Sequence, residues 1–391
     1  MNWQLITEQQ RFNELLPIWA SAKTLALDTE FMRVNTFNPQ IALIQLKHQN
    51  TIYLIDPTAC DTVAWGLGEV LANPNCLKIV HACSEDIEVL FHTYPNAKIN
   101  HIFDTQIALA FLGYGLQVGY QKALKDLLDI DISKAETRSD WLARPLSEEQ
   151  LQYAASDVEY LPALYDVVFS DLSNKGLLKY CQEDSALMLT EGAKETEMES
   201  LYRQFSLGWQ LNRQQLSLLH TLSMWRDGSA RLNNIPRTFV LKNHTLMAIV
   251  QQMPQTLAQL ARIEDLHPKT YQKHGSLLLE MIRVAQHKPD AKCPPPLPLP
   301  LPKAAKSLFT LLKQQSETIA LQYGIPPDVL LRKRWLDALV LNYIDEGEQC
   351  QLPLALQGWR YDLLTQPLLH TLSKQGTQLA EWRSYRHRLS H

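Results

Sequence analysis

The sequence predicts an α/β domain with a mixed sheet and helices on both faces, followed by two all-α domains. Strand-length apolar runs follow one another near the front, helical periodicity replaces strand alternation behind them, and two composition breaks set off the rear. The chain has 391 residues, 46% hydrophobic and 20% charged, a composition that folds and a length that suits two or three domains.

LALDTEF, IALIQL (41–46) and TIYLID (51–56) are three such runs, joined by turn-forming Asn-Pro and His-Gln-Asn, and read as an antiparallel meander. IALIQL is apolar at nearly every position, which implies a sheet covered on both faces there. A helix is expected over 62–72, a short strand at LKIVHA (77–82), a strand-to-helix turn near Ser84, and helices onward through residue 169. In PLSEEQLQYAASDVEYL, Ser147 and Gln150 have the spacing of a capping box, and Leu151, Ala154, Ala155, Val158 and Leu161 form the apolar stripe of the helix it starts. The acidic stretch 191–200 and the proline-rich 291–302 read as linkers, the second extended as polyproline II. The expected domains are therefore 1–190, 201–290 and 303–391, the last two helical.

No apolar run reaches about eighteen residues, and MNWQLITEQQ lacks a basic segment leading into an apolar one, so neither a membrane span nor a secretory signal is expected. The six cysteines show no C-x-x-C pair and read as free thiols in a reducing cytoplasm. The net charge of -4 hides an asymmetry. Residues 1–170 carry 11 basic and 21 acidic side chains, whereas 201–290 carry 11 basic and 5 acidic. An acidic front gathers carboxylates for a purpose, and a basic rear suits a polyanion.

Asp28 and Glu30 lie one residue apart in LALDTEFMR, so they share one face of the strand with Ala26, while Leu25, Leu27, Thr29 and Phe31 occupy the other. Asp86 falls in the first turn of the helix after Ser84, and Tyr153 and Asp157 sit i, i+4 on one side of the capped helix. Each has a plain structural reading: a wet strand face, a helix N-terminal acid, a surface residue. Gathered in one cleft, however, such carboxylates repel by roughly 4 kcal/mol per pair at about 4 Å with an effective dielectric of ~20, and remain ionised only with bound cations. All-oxygen ligands suit hard cations such as Mg²⁺ or Mn²⁺.

This order, D-x-E, then an Asp after a strand-to-helix turn, then Y-x-x-x-D, resembles the three motifs of the DEDD superfamily of 3′→5′ exonucleases in its tyrosine subclass. Together LDTEFMR, HACSEDIEVL, FDTQIA, SDWLARPL and YAASDVEYL resemble the bacterial ribonuclease D family, over nearly the whole chain. The resemblance implies a ribonuclease H-like catalytic domain followed by two HRDC modules. It places metal ligands on Asp28, Glu30, Asp86 and Asp157 and a water-positioning phenol on Tyr153. It implies hydrolysis of the 3′-terminal phosphodiester with two divalent ions, Mg²⁺ or Mn²⁺, about 3.5–4 Å apart, releasing a nucleoside 5′-monophosphate.

Among the neighbours, Asp104 reads as a helix N-cap, Glu85 as a bystander to Asp86, and His81 as a packed, hydrogen-bonded residue. GYGLQVGYQK departs from the spacing of a phosphate-binding loop, so nucleotide triphosphate binding is not expected. Arg138 and Trp141 match the family's loop before the last motif and are candidate RNA contacts. In the first rear domain, which resembles an HRDC module, Arg226, Arg231, Arg237 and Lys242 are candidate phosphate contacts. The expected protein is a cytoplasmic, monomeric exoribonuclease with RNA as its partner, tRNA precursors in particular, and no obligate protein partner. A DNA 3′→5′ exonuclease with the same carboxylates and a non-catalytic RNA-binding scaffold remain open at this point.

Overall fold

The computed structural model describes residues 1–95, 98–132, 139–193 and 197–387. Among them, strands β1 (Trp3–Ile6), β2 (Thr24–Met32), β3 (Gln40–His48), β4 (Thr51–Ile55), β5 (Leu77–Val80) and β6 (Ile102–Asp104) form one sheet in the order β1-β4-β3-β2-β5-β6. The expected meander is present: β2 pairs antiparallel with β3, and β3 with β4. Parallel pairings of β1 with β4, β2 with β5 and β5 with β6 make the sheet mixed.

Alternation along β2 decides which side chains meet which helices. Leu25 and Leu27 point into the core shared with α1 (Gln9–Ala20), α2 (Leu67–Ala72) and α3 (Ser84–Thr93), through Phe12, Leu67 and Ile87 among others. Ala26 faces the opposite layer. Beyond α4 (Thr105–Leu112) and α5 (Tyr120–Leu128), the helix α6 (Glu148–Glu159) packs Leu151, Ala154, Ala155 and Val158 there, against Leu43 and Leu54. Both faces of the sheet are therefore covered, as the mostly apolar run in β3 requires. The predicted capping box is formed, with the Ser147 hydroxyl accepting from Gln150 N and the Gln150 side chain accepting from Ser147 N.

Four elements differ from the sequence expectation. β1 and α1 were not expected, because a four-residue edge strand with two exposed positions and a helix containing Pro17 give weak periodic signals. Residues 62–66 form turns, so α2 begins only at Leu67, after Gly66 at a φ of 86°. β6 is three residues long, too short for alternation to show.

The rest is helical: α7 (Leu161–Asn174), α8 (Leu178–Gly192), α9 (Arg213–Leu232), α10 (Arg237–Val240), α11 (Asn243–Gln252), α12 (Leu257–Leu260), α13 (Pro268–Gln286), α14 (Ala305–Tyr323), α15 (Pro327–Leu330), α16 (Lys333–Glu346), α17 (Gln366–Ser373) and α18 (Gly376–Arg386). Segment 294–302 has neither helix nor strand. The chain forms two compact units, one of residues 1–32, 39–194 and 306–375, the other of 33–38, 195–305 and 376–391. The second has its own core, built on Leu219, Leu222, Leu246, Ile249, Leu278 and Ile282. All six cysteines are buried free thiols, and among the described residues no helix is long and apolar enough to cross a membrane.

Within the first unit, Arg360 is 1% exposed and its guanidinium donates twice to the Asp184 carboxylate of α8, at 2.6 Å each. It also donates to the carbonyls of Leu330 and Val329 and lies over the Trp335 and Trp359 rings. Every donor direction is filled by the protein, so this pair joins residues 306–375 to α8. Removing one member of such a buried pair costs about 3–5 kcal/mol. Arg360→Ala is accordingly expected to lower the urea midpoint by that much stability without changing secondary structure at low denaturant; a loss below about 1 kcal/mol would show that the pair is dispensable.

Candidate active site

The β2 strand presents Asp28 and Glu30 on the face covered by α6, and α6 presents Asp157 toward them. Carboxylate oxygens of Asp28, Glu30 and Asp157 all lie within 4.8 Å of one another. Asp86 approaches from α3, held by a hydrogen bond from the Thr29 hydroxyl, which projects from the opposite face of β2. Local rules place each group: strand alternation pairs Asp28 with Glu30, the capping box sets the phase of α6, and the β5–α3 turn aims Asp86.

That turn depends on Asp104. Ala82 takes a φ of 57°, and the backbone N–H groups of Ala82 and Cys83 donate to the two Asp104 carboxylate oxygens at 3.0 and 3.1 Å. The same carboxylate caps α4 by accepting from Gln106 N at 2.7 Å. Asp104 is thus the N-cap the sequence suggests and also the tie that fixes the entry to α3. His81 is hydrogen-bonded through Thr105 and the Val118 carbonyl, as expected for a packed residue.

The carboxylates are half-buried, so solvent and ions reach them while their charged forms are still poorly solvated. Burial, then the charges of Asp86, Asp157 and Glu30, push Asp28 well above the usual carboxylate range. Burial followed by Asp157 and Asp86 raises Glu30 to about 9. Asp86 rises to about 6, chiefly by burial, against the opposing hydrogen bond from Thr29. Asp157 rises to about 7, again mainly by burial, and a hydrogen bond from the Tyr153 hydroxyl works the other way. Burial and the neighbouring Asp157, Glu30 and Asp28 hold the Tyr153 phenol protonated far above neutral pH. The Tyr153 hydroxyl therefore stands as a hydrogen-bond donor to Asp157.

This donor set fits divalent metal ions. All ligands are carboxylate oxygens, the preference of hard cations. The charges that raise Asp28 and Glu30 are other carboxylates, a strain that a dication relieves.

Comparison with known proteins agrees with the geometry. A family model described as 3′-5′ exonuclease matches residues 3–172, and an HRDC domain model matches residues 215–282. Ribonuclease D of Pseudomonas paraeruginosa is 40% identical over 355 residues, 90% of this chain and 93% of that protein. The chain belongs to the ribonuclease D family. Ribonuclease D of Escherichia coli is 31% identical over 380 residues, covering 96% of this chain and 99% of the relative. Its crystal structure, described as that of an exoribonuclease involved in structured RNA processing, superposes with a TM-score of 0.90 at 30% identity over 96% of this chain and 99% of that one.

The other residues singled out in the sequence take different places in this ribonuclease D fold. Arg138 lies outside the described residues. Trp141 is 2% exposed in the layer beneath α6, its ring 6.0 Å from that of Tyr153, so it shapes the wall behind the phenol from inside. Arg226 is 7% exposed and donates to the Leu241 carbonyl and the Asn243 side chain. Arg231 and Arg237 both pair with the fully buried Asp227 and lie 4.9 and 5.0 Å from the Phe37 ring centroid. Lys242 is exposed, 3.4 Å from Asp265.

The sequence did not disclose the support for the loop before α6. Arg144 reaches back 88 residues to Asp56, with Nε donating to Oδ2 at 2.6 Å and a second nitrogen donating to Oδ1 at 2.9 Å. It also donates to the Trp141, Ala143 and Ala42 carbonyls. Nothing local in the sequence signals a partner that far away.

The raised carboxylates set a pH dependence. In the metal-free protein the folded state holds protons at Asp86, Asp157 and Glu30 up to about pH 6, 7 and 9, whereas the unfolded chain releases them near the ordinary value of about 4. The folded state therefore binds more protons in between, and stability falls as pH rises across that span. A divalent cation held by the ionised set would offset the loss. The rise in Tm on adding Mg²⁺ is expected to be larger at about pH 8 than at about pH 5 in differential scanning calorimetry, and to shrink in Asp28→Asn. Equal rises at both pH values would separate these carboxylates from metal binding.

Proposed function

We propose that this protein is a divalent-metal-dependent 3′→5′ exoribonuclease that trims structured RNA, tRNA precursors in particular, in the cytoplasm, with Mg²⁺ or Mn²⁺ as the ions. The observation that supports it best is the meeting of Asp28, Glu30 and Asp157 oxygens within 4.8 Å, with Asp86 alongside, in a chain of the ribonuclease D family. Asp28, Glu30, Asp86 and Asp157 would hold the ions. When bound, these ions supply an activated water and charge neutralisation at the scissile phosphate.

The chain's own groups do the rest. The protonated Tyr153 hydroxyl orients the attacking water, and its hydrogen bond to Asp157 fixes the phenol relative to the ligand set. The rigid β2 strand and the capped α6 keep the ligands in register, so little reorganisation accompanies substrate arrival. Residues 1–190 would cut as a monomer, while 201–290 and 303–391, as two helical modules, would hold the RNA body through its phosphates. Structured RNA is assigned by kinship with the Escherichia coli protein and by the HRDC match.

The deciding experiment is 3′-end digestion of sequence-matched RNA and DNA with and without Mg²⁺ or Mn²⁺. Metal-dependent release of nucleoside 5′-monophosphates from RNA is expected; a clear preference for DNA, or cleavage unaffected by chelation, would overturn the reading. Asp28→Asn and Asp157→Asn should abolish cleavage while leaving RNA binding largely intact. Tyr153→Phe is expected to lower kcat by on the order of tenfold to a hundredfold with KM little changed, as befits a group that acts on the attacking water.

A further inference from the structure

Gln45 sits in the middle of β3, where every neighbour along the strand is apolar from Ile41 to Leu46. It is 0% exposed, and among the described residues neither its side-chain nitrogen nor its side-chain oxygen has a hydrogen-bond partner. A buried amide left in that state costs about 1–3 kcal/mol for each unmet group, and a leucine of similar size would avoid the loss. An unpaired polar group this deep calls for a function or a buried water.

The strand register shows where the amide lies. Asp28 is directly opposite Gln45 in the antiparallel β2–β3 pair, as Ala26 is opposite Lys47 and Glu30 is opposite Leu43. Opposed residues share a face, with Cβ atoms about 4.5–5.5 Å apart. Gln45 therefore stands beside Asp28 in the layer under α6, one strand further from the ligand cluster. On its other side is Leu54 of β4, which offers only an apolar side chain. The polar side chains placed beside it on this face by the register are Asp28, directly opposite, and Lys47, two residues along β3, whose ammonium is already engaged by Glu159 at the end of α6.

We propose that Gln45 is a positioning residue for Asp28: its carboxamide donates through one buried water to the Asp28 carboxylate and fixes the orientation in which that group meets a divalent cation. Such a water would satisfy the amide and hydrogen-bond to the Asp28 carboxylate. Outer partners of this kind hold ligating carboxylates in place, and their loss typically costs about 10–100-fold in metal affinity or activity. The inference rests on Asp28 being a metal ligand.

The test replaces Gln45 with Leu and, separately, with Met, both close in volume and unable to donate. Mn²⁺ binding by calorimetry on the full chain, Tm of the metal-free protein, and kcat and KM on an oligoribonucleotide are measured for each. Mn²⁺ affinity should fall roughly tenfold and kcat with it, KM staying near the wild-type value, while the metal-free Tm is unchanged or higher. A residue that only packs would leave metal affinity alone. Mn²⁺ affinity within twofold of wild type in either folded variant would overturn the role of Gln45 and leave the metal assignment standing. Absence of Mn²⁺ binding in the wild type would overturn both.

Discussion

The mutual repulsion of half-buried carboxylates is the constraint from which the rest of the catalytic layer follows. Asp28, Glu30, Asp86 and Asp157 each raise or are raised by one another, and burial adds to the penalty. Unscreened pairs at about 4 Å oppose one another by roughly 4 kcal/mol at an effective dielectric of ~20. A flexible chain would simply swing them apart. Holding them together requires each to stand on an element whose position is set by something stronger than the repulsion, namely burial of that element's apolar side.

The fold meets this requirement with three independent anchors. β2 is paired on both sides and contributes two of the carboxylates from one face. α6 is docked by Leu151, Ala154, Ala155 and Val158, and the two alanines let the helix come close to the sheet. α3 is tied at its start by the Asp104 carboxylate and its Asp86 by Thr29. The loop leading into α6 is clamped by Arg144 on Asp56, and Gln150 adds hydrogen bonds to Ser139 and the Asp140 carbonyl. The strain at the site is thus opposed by supports that lie outside it, which leaves the carboxylates free to respond to cations.

The readable part of this arrangement was the part encoded locally. D-x-E declares its shared face through strand alternation, Ser147 with Gln150 declares the start of α6, and Asp104 declares a cap. Each depends only on residues within one element. Links across many residues leave no such trace: Asp56 to Arg144, Asp104 to Ala82 and Cys83, and Arg360 to Asp184 follow from the topology of the sheet and helices rather than from spacing. The β1 edge strand escaped for a different reason, since it is short and largely exposed on the face that periodicity would have to reveal. Asp28 and Glu30 drew notice because two carboxylates on one strand face are unusual, whereas Asp86 and Asp157, on helices, were assigned with them through the family resemblance. The positive charges of the rear were harder to interpret because charge alone does not say where a side chain points.

Those rear charges show why a net count overstates a nucleic-acid grip. Residues 201–290 carry an excess of basic side chains, yet Arg226 is turned inward, and Arg231 and Arg237 share the fully buried Asp227. Asp227 is fully buried between them, so much of their charge is matched inside the module. Their guanidinium planes also stack on Phe37, whose backbone N–H and that of Asn38 donate to the Asn234 side chain. A phosphate competing for either arginine would have to leave Asp227 partly unpaired, a loss larger than an exposed ion pair returns. Lys242, exposed and only loosely paired with Asp265, carries no such obligation. An electrostatic hold on RNA would therefore fall on cations of this exposed kind, while Arg226, Arg231 and Arg237 are committed to partners within the module.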